Sequence, residues 1–76
     1  MSLAVAVVEQ VRRRMIDRRL SAREVARRAD IPATLLHRAL AGERALSIDE
    51  LSAVAGVLEV TPEHLVREAR TRPPIG

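Results

Sequence analysis

The chain has no cysteine and no aromatic residue of any kind. Without cysteine there are no disulfides and no thiolate metal sites. Its absence leaves the redox compartment open, though it is compatible with cytoplasm. Without Phe, Tyr or Trp there is no platform for stacking bases, the usual way of holding single-stranded nucleic acid. Lysine is missing too, so all thirteen basic residues are Arg, a usage that a GC-rich genome alone would produce. Long hydrophobic runs are missing as well. The apolar stretch Leu3 to Val8 is far too short to span a membrane, and it lacks the preceding basic region and the length of a secretory signal. No glycine-rich phosphate loop and no internal repeat occur. Seventy-six residues make one domain. A chain this short buries only about 60% of its unfolded surface, so its core has little margin.

What is present is organised around Ser21 to Arg44. Ser21 with Glu24 forms a capping box, S-x-x-E, which predicts a helix start. Val25, Ala26 and Ala29 then recur at helical spacing. Asp30 and Pro32 interrupt the pattern, since Asp favours turns and Pro is tolerated only where a helix begins. A second apolar pattern runs through Leu36, Ala39 and Leu40, and Gly42 closes it as a C-cap residue would. Two short helices with about three residues between them are the sequence form of a helix-turn-helix. On the second helix Thr34, His37 and Arg38 share one face, because they are spaced i, i+3, i+4. The opposite face is apolar. Such a helix suits a DNA major groove, where Arg reads guanine and Thr meets the thymine methyl. The blander alternative is a small helical bundle with an ordinary polar surface.

Ser21 to Leu65 resembles the phage repressor/Cro-type (lambda-repressor-like) helix-turn-helix family. The likeness rests on Leu20-Ser21, Glu24-Val25-Ala26, Ile31 in the turn, Leu36 and Arg38 in the second helix, and Gly42-Glu43-Arg44 after it. Ser47-Ile48, Leu51, Ala55, Leu58, Val60 and Leu65 continue it without gaps. The resemblance implies an all-α fold of five helices in which helices 2 and 3 are the helix-turn-helix. There are departures. Ala22 stands where relatives often carry a Gln that clamps the sugar-phosphate backbone, and Arg23 is the natural substitute. Asp30 replaces a turn Gly, which it can do because Asp tolerates left-handed backbone. Met15 and Leu40 occupy two positions where many relatives bury an Arg–Glu pair. Both are apolar here, as if exchanged together, and the two side chains are expected to touch.

Elsewhere the pattern is simpler. In the first helix Val8, Val11 and Met15 make a stripe that Ile16 continues. Leu3, Val5 and Val7 exceed what that stripe needs, so they either pack on the closing helix or belong to a dimer surface. Arg12, Arg13, Arg14 and Arg18 are expected in solvent, and Arg28 is expected to pair with Glu24 at i, i+4. Ser47 with Glu50 is a second capping box and starts the fourth helix. Gly56 lies inside that helix at a cost of roughly 1 kcal/mol relative to Ala, which close helix packing would justify. Thr61 and Pro62 start the fifth helix as N-cap and first residue. Residues 1–44 hold ten Arg against five acids, while residues 45–76 hold three against five, so the positive charge sits on the half with the proposed reader. A solvated basic face with no partner remains the alternative.

The sequence thus predicts a DNA-binding domain over residues 1–70 with a loose tail at 71–76. Pro32, Ala33, Thr34, His37 and Arg38 are the candidate base-reading residues. Ser21, Ala22, Arg23 and Arg44 are the candidate phosphate contacts, with the amides at the start of helix 2. The expected partner is duplex DNA carrying an inverted repeat, bound by a weak homodimer whose interface draws on Leu65, Val66 and the spare N-terminal apolar residues. No sensing domain is expected, which fits a small Cro-like cytoplasmic repressor. The competing readings are an antitoxin-type protein-interaction module that also binds DNA and the DNA-binding piece of a longer regulator. Parts for an enzyme are wanting: His37 and His64 lack metal-ligand company, and Ser21 and Ser47 are accounted for as caps. No cofactor, small-molecule ligand or membrane is expected.

Overall fold

The computed structural model describes residues 2–71, and within them the chain forms five α-helices and no strand. They are α1 (Leu3–Arg18), α2 (Ala22–Ala29), α3 (Ala33–Leu40), α4 (Ile48–Val57) and α5 (Pro62–Thr71). The first residue of the expected tail, Thr71, is the last of α5; positions 72–76 lie outside the described residues.

Four of the five helices start where a short polar side chain can satisfy free amides. Ser2, Ser21, Ser47 and Thr61 accept from the backbone N–H three residues on, at 3.0–3.2 Å. At Ser47 the box is complete, because Glu50 also takes the Ser47 N–H at 2.8 Å. At Ser21 only half of it forms. Glu24 turns its carboxylate to Arg27 and Arg28 instead, where two cations outbid one amide. Pro32 precedes α3 and offers no capping side chain.

The helix ends follow one scheme. Arg19, Asp30, Gly42 and Glu59 adopt left-handed backbone, with φ between 55° and 81°. Each is followed by a residue whose N–H reaches back to a carbonyl five positions earlier: Leu20 to Met15, Ile31 to Ala26, Glu43 to Arg38 and Val60 to Ala55. This is the Schellman arrangement. Three of the four followers, Leu20, Ile31 and Val60, pack against the core.

The core is a single apolar cluster to which all five helices contribute. Leu36, Leu58, Leu65, Val11, Val25 and Val54 are its largest fully buried members. In α1 the buried line is Val7, Val11 and Met15, joined by Gln10, rather than the expected Val8, Val11, Met15 and Ile16. Ile16 is 74% exposed. Residues 7, 11 and 15 follow one another by fours and drift only slowly round a helix of 3.6 residues per turn, whereas Ile16 falls on the far side from Val7. The face is set by α5, the principal neighbour of α1. Of the spare N-terminal apolar residues, Val7 is core, while Leu3 and Val5 are exposed.

Gly56 also departs from expectation. A Cβ built there would meet nothing within 4 Å, so no neighbouring helix demands a glycine. Met15 lies in the core and Leu40 packs against the same cluster. Near them the Arg12 guanidinium donates to the Leu40 carbonyl, a tie between α1 and the end of α3.

Two stability outcomes follow. Gly56→Ala should stabilise the domain by about 1 kcal/mol in denaturant melts, since it removes a helix-interior glycine at an open position; a loss of stability would mean the site is crowded. Leu40→Glu should destabilise by about 1–3 kcal/mol through a poorly satisfied carboxylate. Adding Met15→Arg should recover part of that loss. A double-mutant cycle with no coupling would show that the two side chains do not meet.

Candidate nucleic-acid interface

Helix α3 has only eight residues, and its inner and outer faces divide sharply. Leu36 and Ala39 are fully buried. Thr34, His37 and Arg38 are all exposed, on the one outward face their spacing predicts. Pro32 is exposed and Ala33 half-buried at the helix start. The ring of His37 leans toward that start, with its Nδ1 2.8 Å from the Ala33 carbonyl. Arg38 is extended toward Glu43, with Nε to Oε1 3.7 Å and both side chains more than 60% exposed. So open and long a pair holds Arg38 only weakly.

The start of α2 gathers three of the four candidate phosphate residues. Ser21 is exposed, and its Oγ accepts from the Glu24 N–H at 3.1 Å, which leaves its hydroxyl proton to donate outward. The Ala22 side chain packs against the core, so this residue offers only its main-chain N–H. That amide belongs to the first turn, where helices have no internal partner for their donors. Arg23 is exposed and makes no ion pair among the described residues. By contrast Arg27 and Arg28 are both held on Glu24, at 2.6 and 2.8 Å, the second being the expected i, i+4 pair. The two guanidiniums hold the Glu24 carboxyl below its ordinary range.

Arg44, the fourth, is placed differently. Its Nη2 donates to Glu50 at 3.1 Å, its side chain is largely covered, and its Nη1 is buried without a hydrogen-bond partner. Glu50 therefore gathers the Ser47 N–H and the Arg44 guanidinium on one oxygen. The Ser47 backbone bond, aided by Arg44 and the Ser47 side chain, lowers its pKa from the ordinary 4.5. Arg44 thus joins the loop after α3 to the start of α4.

The α1 arginines were expected in solvent; Arg12 and Arg18 are exposed and Arg13 and Arg14 half-buried, and three of the four also tie elements together. Arg14 pairs with Glu68 of α5 at 2.7 Å, both side chains about three-quarters covered. Arg18 pairs with Glu59 in the α4–α5 turn, and Arg12 holds the Leu40 carbonyl. These partners lie 28 to 54 positions away in sequence, beyond any local pattern. The Glu43 partner of Arg38 was also missed, because it lies across Gly42 and outside helical spacing. Of the two histidines, His64 belongs to a structural pair, its Nε2 3.3 Å from Glu68. Among the described residues no three His, Asp or Glu side chains are grouped to hold a metal ion. Among the described residues no helix is long and apolar enough to cross a membrane.

A short helix anchored by its inner face, a tight turn before it and an exposed polar outer face together define a helix-turn-helix domain. The model of the Cro/C1-type HTH DNA-binding domain matches residues 10–67, and the chain belongs to that family. No curated protein and no solved structure shows a significant match to the chain.

The depressed carboxyls of Glu24 and Glu50 set an acid limit on stability. A carboxyl whose folded pKa lies below its unfolded value stabilises the fold above the unfolded value. That contribution is lost as pH falls through the folded one. Unfolding midpoints should therefore hold down to about pH 5 and decline from the ordinary 4.5 downward. Glu50→Gln should flatten part of that decline in a pH series of denaturant melts. An unchanged acid profile would show that Glu50 carries none of it.

Proposed function

We propose that this protein is a sequence-specific transcriptional regulator, a small Cro-like repressor that occludes an operator as a dimer in the cytoplasm. The observation that carries the reading is the outward face of α3, where Thr34, His37 and Arg38 stand exposed on a helix whose other side is locked into the core. In this reading these side chains meet base edges in the major groove, and Pro32 and Ala33 allow the helix start to approach the groove floor. Ser21, the Ala22 amide and Arg23 hold phosphates on the flank. Arg23 is the strongest of these contacts because no carboxylate among the described residues competes for it. Arg44 contributes less directly, by tying the following loop to α4.

The dimer reading also changes in detail. Leu65 is fully buried and cannot form an interface. An apolar groove lies beside it, lined by Ile48, Leu51, Pro62 and Val66, with Glu63, Arg67 and Arg70 around it. Ile48 is 84% exposed there. A patch with an apolar floor and rim charges of both signs suits a second copy of itself, since a two-fold axis brings each Glu63 toward the other subunit's arginines. Dimers of helix-turn-helix domains address half-sites about 34 Å apart, one turn of DNA, and the operator is expected to carry that spacing.

The test is a titration on duplex DNA across a salt series. With about three to five phosphates neutralised per subunit, a dimer should show a log–log slope of roughly −5 to −9. Arg38→Ala should lower discrimination at one base pair by about 1–3 kcal/mol, while Arg23→Ala should weaken all sequences alike. A flat salt response would overturn the DNA reading. Uniform losses for both variants would show that Arg38 contacts phosphate rather than base.

A further inference from the structure

The contact that His37 makes within α3 decides what its ring can recognise. Its Nδ1 lies 2.8 Å from the Ala33 carbonyl oxygen, one helical turn back. A carbonyl oxygen can only accept, so a hydrogen bond at this distance requires the proton on Nδ1. A neutral imidazole carries one N–H. With that proton on Nδ1, Nε2 across the ring is an unprotonated acceptor, and it belongs to an exposed side chain on the outward face of α3. Among the described residues the His37 ring makes no other hydrogen bond and no ion pair. Arg38 has no acceptor to offer and is directed toward Glu43. Glu24, the acid of the adjacent helix, is occupied by Arg27 and Arg28.

We infer that His37 is a specificity-determining residue that selects a base presenting an amino group in the major groove, through an Nε2 fixed as acceptor by the Nδ1 bond to Ala33. In that groove adenine offers its N6 amino group and cytosine its N4 amino group, whereas guanine and thymine present acceptors at the corresponding position. A ring fixed as acceptor gains a bond with the first two and meets a lone pair on the others. His37 and Arg38 then divide the chemistry of the face. Arg38 has donors only and suits guanine, while His37 suits adenine or cytosine. This inference rests on the reading of α3 as the base-contacting helix.

Two measurements test it. On the free protein, ¹⁵N NMR of the His37 ring near pH 8 should show the neutral tautomer protonated on Nδ1. On DNA, selection from random duplexes should yield a fixed half-site base pair whose preference His37→Ala erases by roughly 5- to 150-fold; since every pair carries one amino group, analogues lacking it identify the contact. His37→Gln, whose amide carries an acceptor as well as donors, should retain a preference for adenine there. Replacing a selected adenine by purine, which lacks only the amino group, should weaken the wild-type protein and leave His37→Ala unaffected. A ring protonated on Nε2, or a His37-dependent base pair whose amino group can be removed without weakening the wild-type protein, would overturn the inference while leaving DNA binding intact. So would His37→Ala without effect on the selected sequence. Absence of any duplex binding would instead overturn the DNA reading itself, and the base assignment with it.

Discussion

Helices α2 and α3 have eight residues each, and helices that short do not hold together in water by themselves. Everything outward-facing here therefore depends on one constraint, the burial of a few apolar side chains on the inner face of each short helix. For α3 these are Leu36 and Ala39, both wholly excluded from solvent. Burying a leucine contributes about 1.5–3 kcal/mol, more than any propensity difference along eight residues can supply selectively. The same contact fixes the rotation of the helix about its axis. Once Leu36 points inward, Thr34, His37 and Arg38 have one direction left.

The chain must also turn sharply between short helices, and it does so largely without glycine. Arg19, Asp30 and Glu59 take a left-handed conformation that is unfavourable for residues with a Cβ, and only Gly42 takes it freely. What holds them is the following residue. Leu20, Ile31 and Val60 return a main-chain N–H to the helix just ended and bury an apolar side chain in the core. Helix termination and core packing are thus the same event. The turn before α3 belongs to this group, so the placement of α3 relies on Ile31 as much as on Asp30.

Arginine supplies every cation in this chain, and the fold sorts arginines into two kinds. Arg12, Arg14, Arg18 and Arg44 are fastened to other elements, and Arg27 and Arg28 to Glu24 on their own helix. Arg23 stands without an ion pair among the described residues, and Arg38 is held only loosely. A count of charge along the sequence therefore overstates the positive surface that a phosphate backbone would meet. What matters for binding is the subset left uncommitted or loosely held that stands beside the turn between α2 and α3, and Arg23 and Arg38 are placed there.

Helix starts were legible because capping acts over three residues. Ser21, Ser47 and Thr61 each mark a start, and Asp30 and Gly42 the ends on either side of the reader. The polar face of α3 was legible for the same reason, since i, i+3, i+4 neighbours share a face in any helix. The register of α1 was not. Val7 and Val8 are equally apolar, and only the position of α5 decides which one is covered. Nor could the sequence say that Gly56 lies in open space, that Leu65 is too deep for an interface, or that Arg44 would be drawn to Glu50. The sequence by itself determined where α2, α4 and α5 begin and which side chains of α3 share a face, because capping and helical spacing act within one turn. Only the tertiary structure decided which side chains remain free. Whether a side chain is buried, paired or exposed depends on neighbours as much as 54 residues away, and no local pattern records them.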